Sequence, residues 1–395
     1  MHTPLYEQIF DYIVTEIREG RLRSGNKVMS ERELADKFGV STMTSKGALA
    51  RLAALGIIVR SRGKGSFVAK EIPDLPQNLY SHSRDASDGN DNEDIQRKSH
   101  DADGSADSGL IGLIIPGFSD AFGAELVRAI EERCFELGMH VILRFTKGLR
   151  SVEDDAIQDL MHLGVKGLLI MPVHGEHYSW HILRLTLDRF PTVLLDRYLK
   201  GIPMCAVYTD NVAAAREITA HVLDHGHRHV AFISPPPDDT SSIVDRLSGF
   251  IEAFNQRGMA IMPQYVFTDL HATLPMHEVD RTELIQCDTL SLFDFVKSNR
   301  EITAFVACEY ENAILLMNAM QQLDLQVPQD RSIVCFDHYN HFMVKPFFTH
   351  VRQDEHRMGR QAVDCLMQNV RGENVIAPIM IPHRIVPSSS LQVLK

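Results

Sequence analysis

Four histidines fall within nine residues, His221, His225, His227 and His229, dense enough to suggest a metal site because imidazole nitrogens ligate zinc well. No cysteine lies near them in sequence, and metal binding is not the expected chemistry. Ser241 and Ser242 stand close to Asp245, a hydroxyl and a carboxylate of the kind hydrolases use, but no nucleophile-elbow pattern surrounds them. Gly63-Lys64-Gly65 is too short to cradle a phosphate, lacking both the Walker spacing and a preceding parallel strand. The six cysteines, Cys134, Cys205, Cys287, Cys308, Cys335 and Cys365, never form a CxxC pair, which suits neither a zinc ribbon nor a disulfide framework and points to a reducing cytoplasm. Binding is expected to be the chemistry of these side chains, with no catalytic residue, metal or cofactor.

Charge says what one end would bind. The chain carries −12 over 395 residues, yet residues 1–70 hold twelve Lys or Arg against seven Asp or Glu. A basic head on a strongly acidic body is expected when one small module touches phosphates. An ordinary solvated surface produces the same split, so charge alone leaves both readings open. No stretch approaches the roughly 20 apolar residues that span a bilayer. Met1 to Phe10 has no apolar signal region, so a cytoplasmic protein without a membrane partner is expected.

The elements that must position these groups begin with Leu5, Ile9, Ile13 and Ile17, one face of an amphipathic helix. Pro4 suits its first turn and Gly20 its end. Ser30-Glu31-Arg32-Glu33 follows the capping-box pattern and opens a second helix through Phe38. Gly39 breaks that helix, and Ser41 caps a third that runs to about Leu55. Val40, Ala48, Leu49 and Leu52 are expected to face inward there, with Thr42, Ser45 and Lys46 outward. Ile57 to Arg60 and Ser66 to Ala69, joined at Gly63-Lys64-Gly65, read as a tight β-ribbon. Three helices and a ribbon make a winged helix-turn-helix over residues 1–72.

Residues 73–109 change character. After Pro73 and Pro76, the stretch from Ser81 to Gly109 holds seven Asp, one Glu and three basic residues. It cannot bury enough surface to offset its ordering entropy and is read as a disordered acidic linker. From Leu110 to the end at 395, strand-like runs alternate with helical patterns: Leu110 to Ile115, a helix from about Phe122 to Leu137, Val141 to Phe145, Gly167 to Met171, Thr192 to Leu195, His229 to Ile233, Ala304 to Ala307 and Ser332 to Phe336. Such alternation implies α/β parallel sheets with helices on both faces. The length implies two lobes, with a ligand in the cleft at the strands' carboxyl ends.

The run "SERELADKFGVSTMTSKGALARLAALGIIVRSRGKGSFVA" resembles the DNA-reading domain of the GntR family of bacterial repressors. From Leu110 onward, "LIIPGFSDAFGAEL", "VLLDRYLKGI", "YTDNVAAAREI", "HGHRHVAFI", "DRLSGF", "IVCFDHYN" and "VRQDEHRMGRQAV" resemble the effector domain of the LacI/GalR family, a periplasmic-binding-protein-like fold. The order of modules resembles the arabinose-operon repressors of Gram-positive bacteria. The histidine-rich phrase then falls at that family's helix-to-strand junction. The body phrases fit a binding protein and not the cofactor-bearing aminotransferase-like body of some GntR-type regulators.

For DNA, the resemblance implies that Arg32 binds phosphate, that Ser41, Thr42, Thr44 and Lys46 face the major groove, and that Arg62, Lys64 and Gly65 form the wing tip. For the ligand, it implies Asp196, Arg197, Arg246, Asp337 and Gln353; Glu309 is expected beside them, and Phe118 and Phe122, on the loop after the first strand, are expected to offer an apolar face for a sugar ring. Fixed carboxylates and guanidinium forks can each engage two vicinal hydroxyls. The plainer alternatives stay open: solvated reader positions, aspartates that cap turns at strand ends, and phenylalanines that belong to the core.

The sequence also departs from its family. Thr42 and Gly47 stand where long basic side chains are usual, and Glu309-Tyr310 stands where Asn-Asp is usual. The resemblance implies a homodimeric repressor released from a pseudo-palindromic operator by a sugar-like effector such as L-arabinose. An enzyme or sugar-processing protein on the same fold, and a constitutive DNA binder with a decayed pocket, are the alternatives.

Overall fold

The computed structural model describes residues 5–18, 21–40, 42–54, 57–61, 65–69, 109–119, 121–175, 179–237, 240–275, 281–339 and 345–394. The acidic stretch read as a linker lies outside the described residues except for Gly109. The chain divides into two compact units.

In the first unit, α1 (Leu5–Arg18), α2 (Glu31–Phe38) and α3 (Thr42–Ala54) precede a hairpin of β1 (Ile58–Ser61) and β2 (Gly65–Val68). The capping box forms. Ser30 Oγ accepts from Glu33 N–H, Glu33 accepts from Ser30 N–H at 2.7 Å, and these bonds hold the Glu33 carboxyl below its usual range. Gly39 ends α2 at φ 64° and donates its N–H to the Ala35 carbonyl, a left-handed conformation that glycine adopts without steric cost. Ile9, Ile13, Leu34, Ala48, Leu49, Leu52 and Ile57 share one small core. Ser45 departs from expectation. It is fully buried, and its hydroxyl donates to the Glu31 carbonyl at 2.6 Å, tying α3 to the start of α2.

The second unit starts with β3 (Leu110–Ile115), α4 (Ala124–Glu136), β4 (His140–Phe145), α5 (Arg150–His162), β5 (Gly167–Ile170), α6 (Trp180–Leu187), β6 (Thr192–Leu195) and β7 (Cys205–Thr209). It continues with α7 (Asn211–Asp224), β8 (Val230–Ile233), α8 (Ser241–Asn255), β9 (Val266–Phe267), α9 (Arg281–Ser298), β10 (Ala304–Ala307), α10 (Tyr310–Gln322), β11 (Ser332–Phe336) and β12 (Thr349–Arg352). The last elements are α11 (Glu355–Val370), β13 (Ile379–Ile381) and β14 (Arg384–Val386).

Two six-stranded sheets result, ordered β13-β7-β6-β5-β3-β4 and β14-β12-β11-β10-β8-β9. Every pairing is parallel except β12 with β14. The central strands are buried throughout, so they read in sequence as short continuous apolar runs. In lobe 1 the sheet lies between a core built with α4 and α11 and one built with α5 and α6. In lobe 2 it lies between α9 and α10 on one face and α7 and α8 on the other. The chain passes between lobes three times, after β7, after β12 and after β13.

Candidate DNA-binding face and ligand cleft

In the first unit Arg32 is exposed at the start of α2, and Thr42 and Lys46 are exposed one turn apart on α3. Leu49 and Leu52 bury the opposite side of that helix. Thr44 is half-buried. Gly65 opens β2 at φ 110°, exposed, beside the exposed Lys27, whose backbone bridges Phe67. Sequence reading missed Lys27, because it lies in a loop before the second helix. Ser41, Arg62 and Lys64 lie outside the described residues. A helix with a polar face one turn long, following a tight turn, has the dimensions to enter a major groove.

In the second unit, all eight residues expected at the ligand site line one cavity of about 560 Å3. Strand order explains the convergence: β3, β5, β6, β8, β10 and β11 are all parallel within their sheets, and the loops leaving their carboxyl ends meet between the lobes. Asp196 follows β6 and Asp337 follows β11, the same place in each sheet. Both adopt left-handed backbone, at φ 61° and 64°. Their N–H groups donate to Val207 and Val351 on the neighbouring strands, at 3.0 and 2.9 Å. Non-glycine residues in this region are uncommon and cost of order 1–3 kcal/mol.

Arg246 on α8 is 4% exposed. Its Nε donates to Asn211 Oδ1 at 2.8 Å, its Nη1 donates to the Cys308 carbonyl at 2.7 Å, and its guanidinium lies 4.1 Å over the Phe336 ring. Gln353 Nε2 donates to both Asp337 oxygens, at 3.1 and 3.0 Å. Asp337 is therefore held by another side chain and not by a turn N–H. Burial pushes its carboxyl well above the ordinary range, against the opposing pull of Arg246. Arg197 Nη1 donates to the Pro172 carbonyl at 3.0 Å, and its Nε lies 3.4 Å from Asp196 Oδ2. Two polar atoms of this wall, Arg197 Nε and Gln353 Oε1, are buried without a hydrogen-bond partner.

Glu309, half-buried at the head of α10, has its carboxyl pushed up to about 7 by burial and by Glu311. Phe118 is 52% exposed and meets Phe145 edge to face at 5.6 Å. Phe122 is half-buried against the lobe 1 core. Directly after Phe122, Gly123 takes φ 105° where an added Cβ would lie 2.5 Å from Phe118 Cβ, so the loop carrying both rings depends on glycine there. The lobes touch beside the cleft: Tyr198 OH donates to Asp245 at 3.0 Å and Tyr198 N–H to Ser241 Oγ at 2.9 Å.

Sequence reading did not place Lys147, Arg281 or Glu311, which also line the cavity. They arrive from loops and helix starts with no local pattern. Asn211, which orients Arg246, was present in a quoted phrase without an assigned role. Two of the clustered histidines bond within the fold: His227 bridges Thr303 Oγ1 at 2.8 Å and the Gln392 carbonyl at 3.1 Å, and His229 meets Tyr265 OH at 3.0 Å. Among the described residues no group of His, Cys, Asp or Glu is placed to hold a metal ion, and no helix is long and apolar enough to cross a membrane.

Residues 5–68 match the gntR family of bacterial regulatory proteins, and residues 219–391 match the periplasmic binding protein-like domain. The chain is 28% identical to the arabinose metabolism transcriptional repressor of Geobacillus stearothermophilus, over 99% of this chain and 98% of that protein. It is 24% identical to the protein of the same description from Halalkalibacterium halodurans, over 84% and 80%. Among solved structures it is similar to the transcription regulator CcpA of Lactococcus lactis, with a TM-score of 0.62 and 20% identity over 72% of this chain and 99% of that one. A LacI family regulator from Enterococcus faecium with bound ribose gives a TM-score of 0.58 and 21% identity over 72% and 100%. This chain thus joins a gntR-family winged-helix domain to a two-lobed periplasmic-binding-protein-like domain in one polypeptide.

Proposed function

We propose that the protein is a DNA-binding transcription repressor of carbohydrate-utilisation genes, and that a sugar held between the two lobes lowers its affinity for a pseudo-palindromic operator. One observation carries the ligand half of this reading: Asp196, Arg197, Arg246, Glu309, Asp337 and Gln353 converge with two phenylalanines on a single cleft. Carboxylates, guanidinium groups and an amide can each donate to or accept from paired hydroxyls, while an aromatic face covers the C–H surface of a ring. The DNA half rests on the gntR-family match and on exposed Arg32, Thr42 and Lys46. Arg32 contacts phosphate, and Ser41, Thr42, Thr44 and Lys46 face the bases with Arg62, Lys64 and Gly65 at the wing. The protein acts as a homodimer, matching the two-fold symmetry of such an operator, and releases its sugar chemically unchanged.

A thermal-shift panel on the full chain tests the cleft, using pentoses, hexoses, disaccharides and sugar phosphates with L-arabinose included. A ligand present at a hundredfold excess over its Kd stabilises the native state by about 2.7 kcal/mol. Operator titrations with and without the active sugar then fix the sign of the switch. If sugar weakens operator binding, operator must weaken sugar binding by the same factor. Silence across the whole panel would sink the ligand reading, and equal operator affinity with and without sugar would sink the coupling.

A further inference from the structure

A second cavity, of about 590 Å3, lies where the chain crosses between lobes for the second and third time. Its lobe 2 wall carries Arg352 at the end of β12 and Arg384 at the start of β14. These strands are antiparallel, and the two arginines are direct cross-strand partners. Like charges directly opposite one another destabilise a sheet, yet among the described residues neither guanidinium has a hydrogen-bond or ion-pair partner, although both are exposed.

The carboxylates of the same cavity are engaged elsewhere. Glu355 accepts from Gly123 N–H at 2.7 Å and Leu126 N–H at 3.3 Å, Glu125 pairs with Arg128, Asp354 accepts from Arg357 N–H at 3.0 Å, and Asp337 is held by Gln353. His338 stacks on His350 with ring centroids 4.5 Å apart. Burial, His350 and the two arginines hold the His338 imidazole down to about 4, so it is a neutral hydrogen-bonding group in the wall at pH 7. Unpaired arginines side by side, with a neutral imidazole nearby, form a fork for a tetrahedral oxyanion, since planar guanidinium groups bind phosphate oxygens in pairs.

We propose that this cavity is a second binding site, distinct from the sugar cleft, for phosphate or a phosphate-bearing small molecule gripped between Arg352 and Arg384. Its walls are two of the three crossovers, so an anion here bears directly on lobe closure. Asp337 and Gln353 line both cavities, but Arg352 and Arg384 line only this one, so the proposed grip stands or falls separately from the function proposed above.

Thermal unfolding of the full chain tests it, with inorganic phosphate titrated against potassium chloride at matched ionic strength. Phosphate should raise the wild-type midpoint saturably, and Arg352→Gln and Arg384→Gln should each weaken that response about tenfold or more. Without phosphate, either variant should match or exceed the wild-type midpoint, because a like-charge pair has been relieved. Glycerol 3-phosphate tells the two sources apart: a stronger response than to phosphate identifies an esterified ligand, and an equal one the free ion. The proposal is overturned if phosphate leaves the wild type unchanged, if all three proteins respond alike, or if either substitution lowers the phosphate-free midpoint as a broken ion pair would.

Discussion

The exposed face of α3 and the cleft between the lobes are built on opposite principles. Thr42, Lys46 and Arg32 stand in solvent. In the cleft, Arg246 is clasped by Asn211 and the Cys308 carbonyl, and Asp337 by Gln353. The partners proposed above explain the contrast. DNA is a polyanion whose field reaches a mobile side chain from a distance, and released counterions drive the association. A sugar has no such field, so its binding energy survives only if donors and acceptors are ordered beforehand. One end of the chain can recruit its geometry on contact, and the other must possess it already.

The largest test of this contrast is Arg246→Ala. Removing one partner of a buried charged network costs about 2–5 kcal/mol, so calorimetry should show sugar affinity falling by about thirtyfold or more, with ligand-free operator binding unchanged. Affinity within threefold of wild type would mean that the clasped arginine is scaffolding, and the contrast would collapse.

Next comes the pH response of the second unit. Glu309 and the buried Glu153, whose Oε2 accepts from Val173 N–H at 2.9 Å, are both pushed up to about 7 from an ordinary value near 4.5 by burial. An acid whose folded pKa lies above its unfolded one stabilises the fold fully below the unfolded value and loses that contribution as pH rises through the folded value. The unfolding midpoint should therefore fall between about pH 4.5 and 7. Glu309→Gln and Glu153→Gln should each flatten that slope, and an unaltered slope in both would show that neither carboxyl is held protonated.

Within the reader the same contrast appears in miniature. Ser45→Ala leaves the Glu31 carbonyl without its buried donor and should cost about 1–3 kcal/mol, whereas Thr42→Ala should stay within about 0.5 kcal/mol. Urea unfolding of the two variants separates them, and equal losses would erase the distinction between the inward and outward faces of α3. The smallest structural effect is expected for Arg32→Ala: near-wild-type stability, but a salt dependence of operator binding shallower by about one unit of slope. Gel shifts at several salt concentrations measure it, and an unchanged slope removes Arg32 from the phosphate contacts.

Sequence patterns exposed much of this architecture, for identifiable reasons. Strands buried on both faces, such as Leu110–Ile115 and Ser332–Phe336, read as uninterrupted apolar runs. Thr349–Arg352 did not, because Thr349 is satisfied far along the chain: its N–H donates to Ser390 Oγ at 2.8 Å and its Oγ1 to the Ser388 carbonyl at 3.1 Å. β9 has only two residues and no periodicity to find. Ser45 was placed outward because helical periodicity registers polarity and not the carbonyl on another helix that a hydroxyl can reach. At the cleft, residues at the ends of recognisable strands could be anticipated, while Lys147 and Arg281 could not. Their place depends on how two lobes meet, which no local pattern encodes.

The threefold passage of the chain between lobes also governs the order in which a newly made protein can complete itself. The core of lobe 1 includes Met358, Ala362, Val363 and Leu366 of α11 and Ile381 of β13, all made after β12 of lobe 2. Lobe 2 is nearly continuous, running from α7 through β12 and lacking its edge strand β14 and the segment that follows it. The face of lobe 1 that α11 covers waits while the whole stretch from Thr209 to Glu355 is made, about 7–30 s at about 5–20 residues per second. The lobe begun first therefore receives its covering helix only after nearly all of the other has been made, and its α11 face is the apolar surface left open longest during synthesis. A premature stop before Glu355 would leave the earlier-made half open and the later-made half nearly whole.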